Sequence, residues 1–477
     1  MLIVERGSSV SIVRWALIVA LSTVAGARAL AADAPLSFSK DVAPILLKNC
    51  HACHGAPEPK GGYQVSNFAL ATKPGDSGAA PFTAGKPEES EVLTLISSTD
   101  ADTRMPKEAE ALPAPQVELI RRWIAEGAKY DGADPNAPLA SIVPKLAQPD
   151  PPATYRRSVP ITAVAFSPDG KEIAASGYHE ITIWNVESGA LLRRIKNVAE
   201  RTYSLDYAPN GSLLAVAGGT PGQMGEAKLF DPAQGTLVKE LGSMGDVAYR
   251  AVFNPAGAKL AVGGADRSIR VYDVASGKQE ILIEDHADWV VGLAWSGDGA
   301  KIASASRDKT SKLFNAANGE SMMTYSGQGD QVFGVAFSND GKLIFTAGAD
   351  KKIHAWNPDD GAKKGEIAGF SKEVFGLVTH QDKIISASGD KSVQQHRVEG
   401  LKQFKTYPGH TDAVFCVTYH PGTVAKNGDK VEVVMPARVA AGSFLGEVRI
   451  WNAEDGAPVA SFVAAPGYVA PPATAAK

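Results

Sequence analysis

Residues that close short apolar strands recur along this chain at Trp184, Phe230, Tyr272, Phe314, Trp356, His396 and Trp451, at intervals of 46, 42, 42, 42, 40 and 55 residues. Each unit repeats the same parts in the same order. An alternating apolar strand runs into Ser/Asn-Pro-Asp/Asn-Gly, as from Val164 to Gly170. A strand of the form Ile/Leu-Ala-x-Ser/Gly follows, then an Asp-Lys/Arg turn, then a strand ending on the aromatic, as from Ala349 to Asn357. A unit this short cannot bury its own apolar face, so copies must stack on one another. With a period of about 40–45 residues, seven units suffice to close a ring of four-stranded blades, and closure protects the sheet edges. The repeats therefore predict an all-β, seven-bladed propeller over residues 158–465. The long last interval places an insertion, Thr423 to Pro436, in the first turn of the seventh blade. The sixth unit is degenerate, with His396 in place of an aromatic, and the first lacks one turn residue at His179-Glu180.

The fifth repeat, and the seventh with its Gly409-His410, resemble the WD40 family. That resemblance implies a rigid, loop-rich surface on which another protein docks. It also accounts for a tempting constellation in the fourth repeat: His286, Ser304 and Asp308 could be read as a hydrolase triad. No strand-turn-helix nucleophile elbow accompanies them, and in a WD40 blade these residue types lock the turns, so a structural network is expected.

Upstream lies a different composition. Cys50, Cys53 and His54 form a C-x-x-C-H run, the spacing at which two thiols can form thioethers to one haem while the next histidine ligates its iron. The only other cysteine, Cys416, is too far away to complete a zinc site or a disulfide framework, and its apolar flanks suggest a buried, inert thiol. Met105 is the only methionine between the motif and Ala128, and Pro106 after it favours an extended loop able to present the thioether as sixth ligand. His51 lies between the cysteines and points away from the iron. Arg104 could reach a haem propionate. Around the motif, Ser39 can cap a helix carrying Val42, Ile45 and Leu46, and Pro115 suits the first turn of a helix with Val117, Ile120 and Ile124 on one stripe and Gly127 as its stop. A short helix is expected around Glu91 to Ile96. Residues 33–130 thus read as a small all-α, class I cytochrome c-like domain holding one covalent haem c on Cys50, Cys53, His54 and Met105.

These residues carry a second resemblance. Phe38, Val42, Pro44 to Leu46, the haem motif with Gly55, Gly61-Gly62, Gly85-Lys86-Pro87 with Ser90, Arg104 to Pro106, and Trp123-Ile124 with Gly127-Ala128 resemble the planctomycete-type cytochrome c domain. Tyr63-Gln64-Val65 departs from the leucine-rich stretch more usual there, a difference expected to affect loop packing more than ligation.

Arg6 and Arg14, an apolar run from Trp15 to Ala27 and small residues around Ala29 to Ala31 have the form of a secretory signal over residues 1–31, too short to span a bilayer. An exported, periplasmic location agrees with haem attachment, which in bacteria takes place outside the cytoplasmic membrane. The net charge is −4, and the segment from Asp33 to Tyr130 carries 13 acidic and 10 basic side chains, which points away from nucleic acid and anionic membranes. Six prolines between Asp131 and Pro152 suggest a semi-stiff linker, residues 131–157, and residues 466–477 a flexible tail.

Together these features predict an exported single-electron carrier whose propeller docks a redox partner, with no turnover of its own. Two other readings stay open at this point. One is a redox enzyme whose propeller holds a second, haem d1-like or quinone-like cofactor, although seven units and the lack of a vicinal cysteine pair separate this chain from the eight-bladed enzymes of that kind. The other is a haem redox sensor whose propeller recognises a surface polymer or a hydrolase.

Overall fold

A computed structural model describes residues 35–55, 59–107, 109–143, 148–222, 224–427 and 430–468. The expected export signal lies outside the described residues. The chain divides into two compact units, Met1–Pro144 and Lys145–Lys477.

In the helical unit, a single π-turn (Phe38–Val42) leads into α1 (Ala43–Asn49) and α2 (His51–His54); α3 (Phe68–Ala71), α4 (Glu91–Ile96), α5 (Ala114–Ala125) and α6 (Leu139–Ile142) follow. The expected stripes form the core: Phe38, Val42, Leu46, Ile120, Trp123 and Ile124 are fully buried. The Phe38 ring sits 4.8 Å from that of Phe68 and 5.4 Å from that of Trp123, whose indole N–H is satisfied by the Lys129 carbonyl at 3.0 Å. Pro115 occupies the first turn of α5, and Gly127 stops it with φ +105°. The cap differs from expectation. Ser37, rather than Ser39, accepts the Lys40 N–H, while the Asp131 carboxylate takes the hydroxyls of both serines and the Ser39 N–H at 3.0 Å.

Among its described residues, the proline-rich segment is anchored at a few points on each side. Leu139 is fully buried in the helical core, its N–H donating to Ser66, while the Pro135 carbonyl accepts from Ala69. At its other end, Gln148 donates to Asn197 and Glu226, and Tyr155 is buried against the propeller. The prolines preset an extended backbone whose carbonyls find partners on each unit.

The second unit is a seven-bladed propeller. Each blade is a four-stranded antiparallel sheet in simple sequence order, over residues 164–195, 201–244, 248–283, 290–325, 332–367, 374–407 and 414–463. In blade 7 a two-stranded hairpin, Thr423–Asn427 with Lys430–Met435, is inserted after the first strand, as the long interval implied. The turns are set by local chemistry. Asp298 and Asp340 accept the hydroxyls of Ser296 and Ser338, and the following glycines, Gly299 and Gly341, adopt φ near +70° that favours glycine. The ring closes by packing blade 7 on blade 1: Ile161, Phe166 and Trp184 share a core with Ala440, Val448 and Ile450. The Ile161 N–H also donates to Ser443, and the Tyr155 N–H to Pro466, each at 3.0 Å.

Candidate cofactor site

The haem motif sits at a break between two helices. Cys50 leaves the helical region (φ −120°), so α1 ends and α2 restarts, with Cys53 and His54 both returning N–H bonds to the Cys50 carbonyl. Cys50, Cys53 and His54 all line one cavity of about 590 Å³, and Met105 lines the same cavity from the loop after α4. Its size lies within the range of about 300–1,000 Å³ usual for cofactor and ligand pockets. Pro81, Val92, Leu95 and Ile96 supply apolar wall; Lys60, Asp76, Glu91 and Lys107 supply charge. His51 does not line the cavity. Its ring packs over Gly55, where a Cβ would come within 2.6 Å of it.

The second partner of His54 comes from outside the motif. Its Nδ1 lies 3.0 Å from the Tyr63 carbonyl. A carbonyl only accepts, so Nδ1 carries the hydrogen and the neutral ring keeps its lone pair on Nε2, as a metal-ligating histidine requires. Tyr63 also stacks edge-on against that ring at 5.5 Å and anchors its own hydroxyl on the Ala71 carbonyl. The departure at Tyr63 therefore bears directly on the orientation of His54. A backbone carbonyl partner leaves no mark in a sequence, and side-chain identity gives no access to it.

The double glycine holds the wall in place. Gly61 and Gly62 have φ of +64° and +63°, and a Cβ on Gly62 would meet the Asp76 carboxylate at 2.2 Å. Asp76 in turn donates its N–H to Gly61. Burial, helped by neighbouring Cys53, pushes the Cys50 thiol up to about 11, so the residue rests as a neutral thiol. Burial, then Cys50 and Glu91, also hold the Tyr63 phenol well above its usual range. Both cysteines are free thiols. Arg104 stands apart from the cavity wall, with its Nε buried and unpaired, so the structure does not bring it to the site. The donors present fit a c-type haem: two thiols three residues apart, an imidazole with its lone pair on Nε2, a thioether, and an apolar wall.

In the propeller the triad-like residues do come together. His286 lies 2.7 Å from Asp308 through Nδ1 and 2.7 Å from Ser304 through Nε2. Ser304 is fully buried between strands and His286 nearly so, so no substrate reaches the hydroxyl. Asp308 is spent further, accepting from Ala287 and Thr310. This is a turn lock, as expected. Cys416 faces the propeller's interior, and burial pushes its thiol up to about 12.

Comparison with known proteins agrees with this division. Residues 50–109 match the family model described as Planctomycete cytochrome C. Residues 151–185, 235–273, 277–315, 319–357 and 401–452 match the WD domain, G-beta repeat. Curated relatives match through part of the chain: nuclear distribution protein PAC1 of Gibberella zeae is 32% identical over 143 residues, 28% of this chain and 30% of its own length. WD repeat-containing protein VIP3 of Arabidopsis thaliana is 26% identical over 143 residues, 27% of this chain and 44% of its own. Meiotic recombination protein rec14 of Schizosaccharomyces pombe is 30% identical over 114 residues, 24% of this chain and 36% of its own. The chain thus spans less than half the length of each of these relatives. Motifs, helical core and blades lead to one statement of kind: this chain joins a planctomycete cytochrome C domain to a seven-bladed WD40 β-propeller.

Proposed function

We propose that this protein is an exported, monohaem c-type cytochrome that transfers single electrons, its propeller serving as the docking scaffold for a separate exported redox protein. The observation that carries this reading is the convergence of Cys50, Cys53, His54 and Met105 on one cavity. When bound there, haem c would supply one-electron exchange at its iron. Cys50 and Cys53 would hold the group to the chain through thioethers. His54 is fixed in ring orientation and tautomer by the Tyr63 carbonyl. Met105 would supply a thioether ligand, and Val92, Leu95 and Ile96 would pack apolar wall beside it. His54 and Met105 would both hold the iron, a ligand pair that favours electron carriage over turnover. WD40 propellers commonly mediate protein interactions, and holding a partner raises the effective concentration of the haem beside it.

The test is the full chain matured in a host that attaches c-haem. One covalent haem per chain is expected, with the sulfur-to-iron charge-transfer band of methionine ligation. Met105→Ala should lose that band and lower the reduction potential, because a thioether favours ferrous iron. A variant with an unchanged spectrum and potential overturns the methionine assignment. Turnover of nitrite or an alcohol by the purified chain at enzymatic rates overturns the carrier reading.

A further inference from the structure

The inner strands of the propeller share a device that the repeat pattern does not announce. In blades 2 to 7 the pairing of the first strand with the second skips one residue: Tyr203, Tyr249, Val291, Phe333, Phe375 and Phe415 are each left unpaired between two ladder positions. A bulge of this kind re-aims the side chain it carries. Here the six bulged residues, with Thr162 from the chain before blade 1, surround a pocket of about 430 Å³ on the ring's axis. Five of the six are aromatic. At the sixth, Val291, the gap is filled by Trp289, whose ring stacks on Tyr249 at 5.3 Å and carries the Arg307 guanidinium 3.9 Å above it. Tyr203 and Tyr249 touch at 5.0 Å, Phe333 and Phe375 at 5.5 Å, and Phe375 and Phe415 at 5.3 Å. The result is an aromatic collar.

Inside this collar stands one anomaly. The residue after the bulge is small in the other blades: Ser204, Gly292, Gly334, Gly376 and Cys416. In blade 3 it is Arg250, which lines the pocket. Among the described residues its guanidinium has no hydrogen bond and no ion pair. Burial lowers its pKa from the ordinary arginine value, an effect opposed by Asp206 and Cys416. Asp206 is not its partner in an ion pair: that carboxylate accepts the Phe253 N–H at 2.7 Å, and burial pushes it up to about 6. A guanidinium offers a planar fork of donors that matches a carboxylate.

We propose that this axial pocket binds an organic carboxylate, its anionic group on Arg250 and its apolar body within the aromatic collar. The ligand is a monoanion, because one unpaired guanidinium, with Asp206 in the neighbourhood, balances a single charge. The same chemistry could arrive as a free acid or as the acidic side chain of a docked protein. The site stands independently of the haem reading.

Isothermal titration calorimetry on the full haem-loaded chain separates these cases. The probes are benzoate, phenylacetate and 3-phenylpropionate, their primary amides, inorganic phosphate, and a blocked peptide containing Glu-Phe. Saturable binding of one or more acids is expected, at least tenfold tighter than the matching amide. Arg250→Met should abolish that preference and leave amide binding unchanged, and Arg250→Lys should fall between, keeping charge without the fork. Phe375→Leu should weaken acid and amide alike. Thermal melts confirm that each variant folds. Binding of the peptide alone assigns the carboxylate to a protein partner and sustains the proposal. No saturable binding of any carboxylate overturns it, as do an Arg250→Met variant with unchanged preference and phosphate binding as tight as that of the acids.

Discussion

At the scale of single residues, His396 occupies the slot that Trp356 and Trp451 fill in neighbouring blades. It is 3% exposed, its Nδ1 is buried without a partner, and burial lowers its pKa to about 4 from an ordinary 6.5. Between pH 6.5 and 4 the unfolded chain takes up a proton that the folded blade refuses, so stability present above pH 6.5 is lost as the pH falls towards 4. A tenfold difference in proton affinity between the two states corresponds to about 1.4 kcal/mol, and partial solvent screening brings the contribution of His396 to the order of 2 kcal/mol. His396→Phe should change stability little at pH 7 and leave the variant more stable than its parent at pH 4.5, as read by denaturant unfolding at the two pH values. Parallel loss in both proteins would show that the imidazole is solvated in the native blade. The sequence shows the substitution itself. It does not show that the ring lacks a partner, because that depends on strands brought alongside by the fold.

Among the elements, the haem unit shows why helices are legible in a sequence and their ends less so. The stripe Val117, Ile120 and Ile124 marks α5 by spacing alone, and its proline and glycine punctuate it correctly. For the first helical segment, local pattern puts the cap two residues late, and the carboxylate that gathers both serines there, Asp131, lies 92 residues beyond Ser39. The double-glycine turn separates two kinds of glycine requirement and supports a paired prediction. Gly61 needs only a left-handed backbone, with open space where its Cβ would go; Gly62 needs that backbone and also the room taken by Asp76. Gly61→Ala should therefore cost about 1–2 kcal/mol, the ordinary penalty of left-handed geometry. Gly62→Ala should cost more and displace Asp76 from the cavity wall. Calorimetry of the two variants checks the order, and equal losses would mean that the Asp76 side chain swings clear.

For the whole molecule, ring closure decides what local pattern leaves open. The stretches between the matched repeats, residues 186–234 and 358–400, include most of blades 2 and 6, yet both blades form complete four-stranded sheets. Blade 2 buries Lys228 against Glu226 at 2.9 Å, a local device far from the repeat pattern, and blade 6 carries His396. Stacked neighbours impose the sheet on units whose own sequences have drifted. Closure also recruits chain from outside the blade strands, which bears on where the folding unit begins. Tyr155 is buried and donates its hydroxyl to Glu180 at 2.6 Å, while its backbone N–H reaches Pro466. Glu180 is fully buried and is also held by Arg194, which itself donates to the carbonyls of Pro152 and Ala153. A fragment of residues 148–468 should fold alone and melt in one cooperative transition. One of residues 158–463 contains every blade strand but leaves Glu180 buried without its tyrosine and frees both ends of the ring. A charged hydrogen bond of about 1.5–3 kcal/mol and the burial of one aromatic, about 1.5–3 kcal/mol, are lost together. The shorter fragment should unfold several degrees lower, and Tyr155→Phe in the longer one should reproduce only the hydrogen-bond part of that loss. Identical melting of the two fragments would place closure in the blade cores alone.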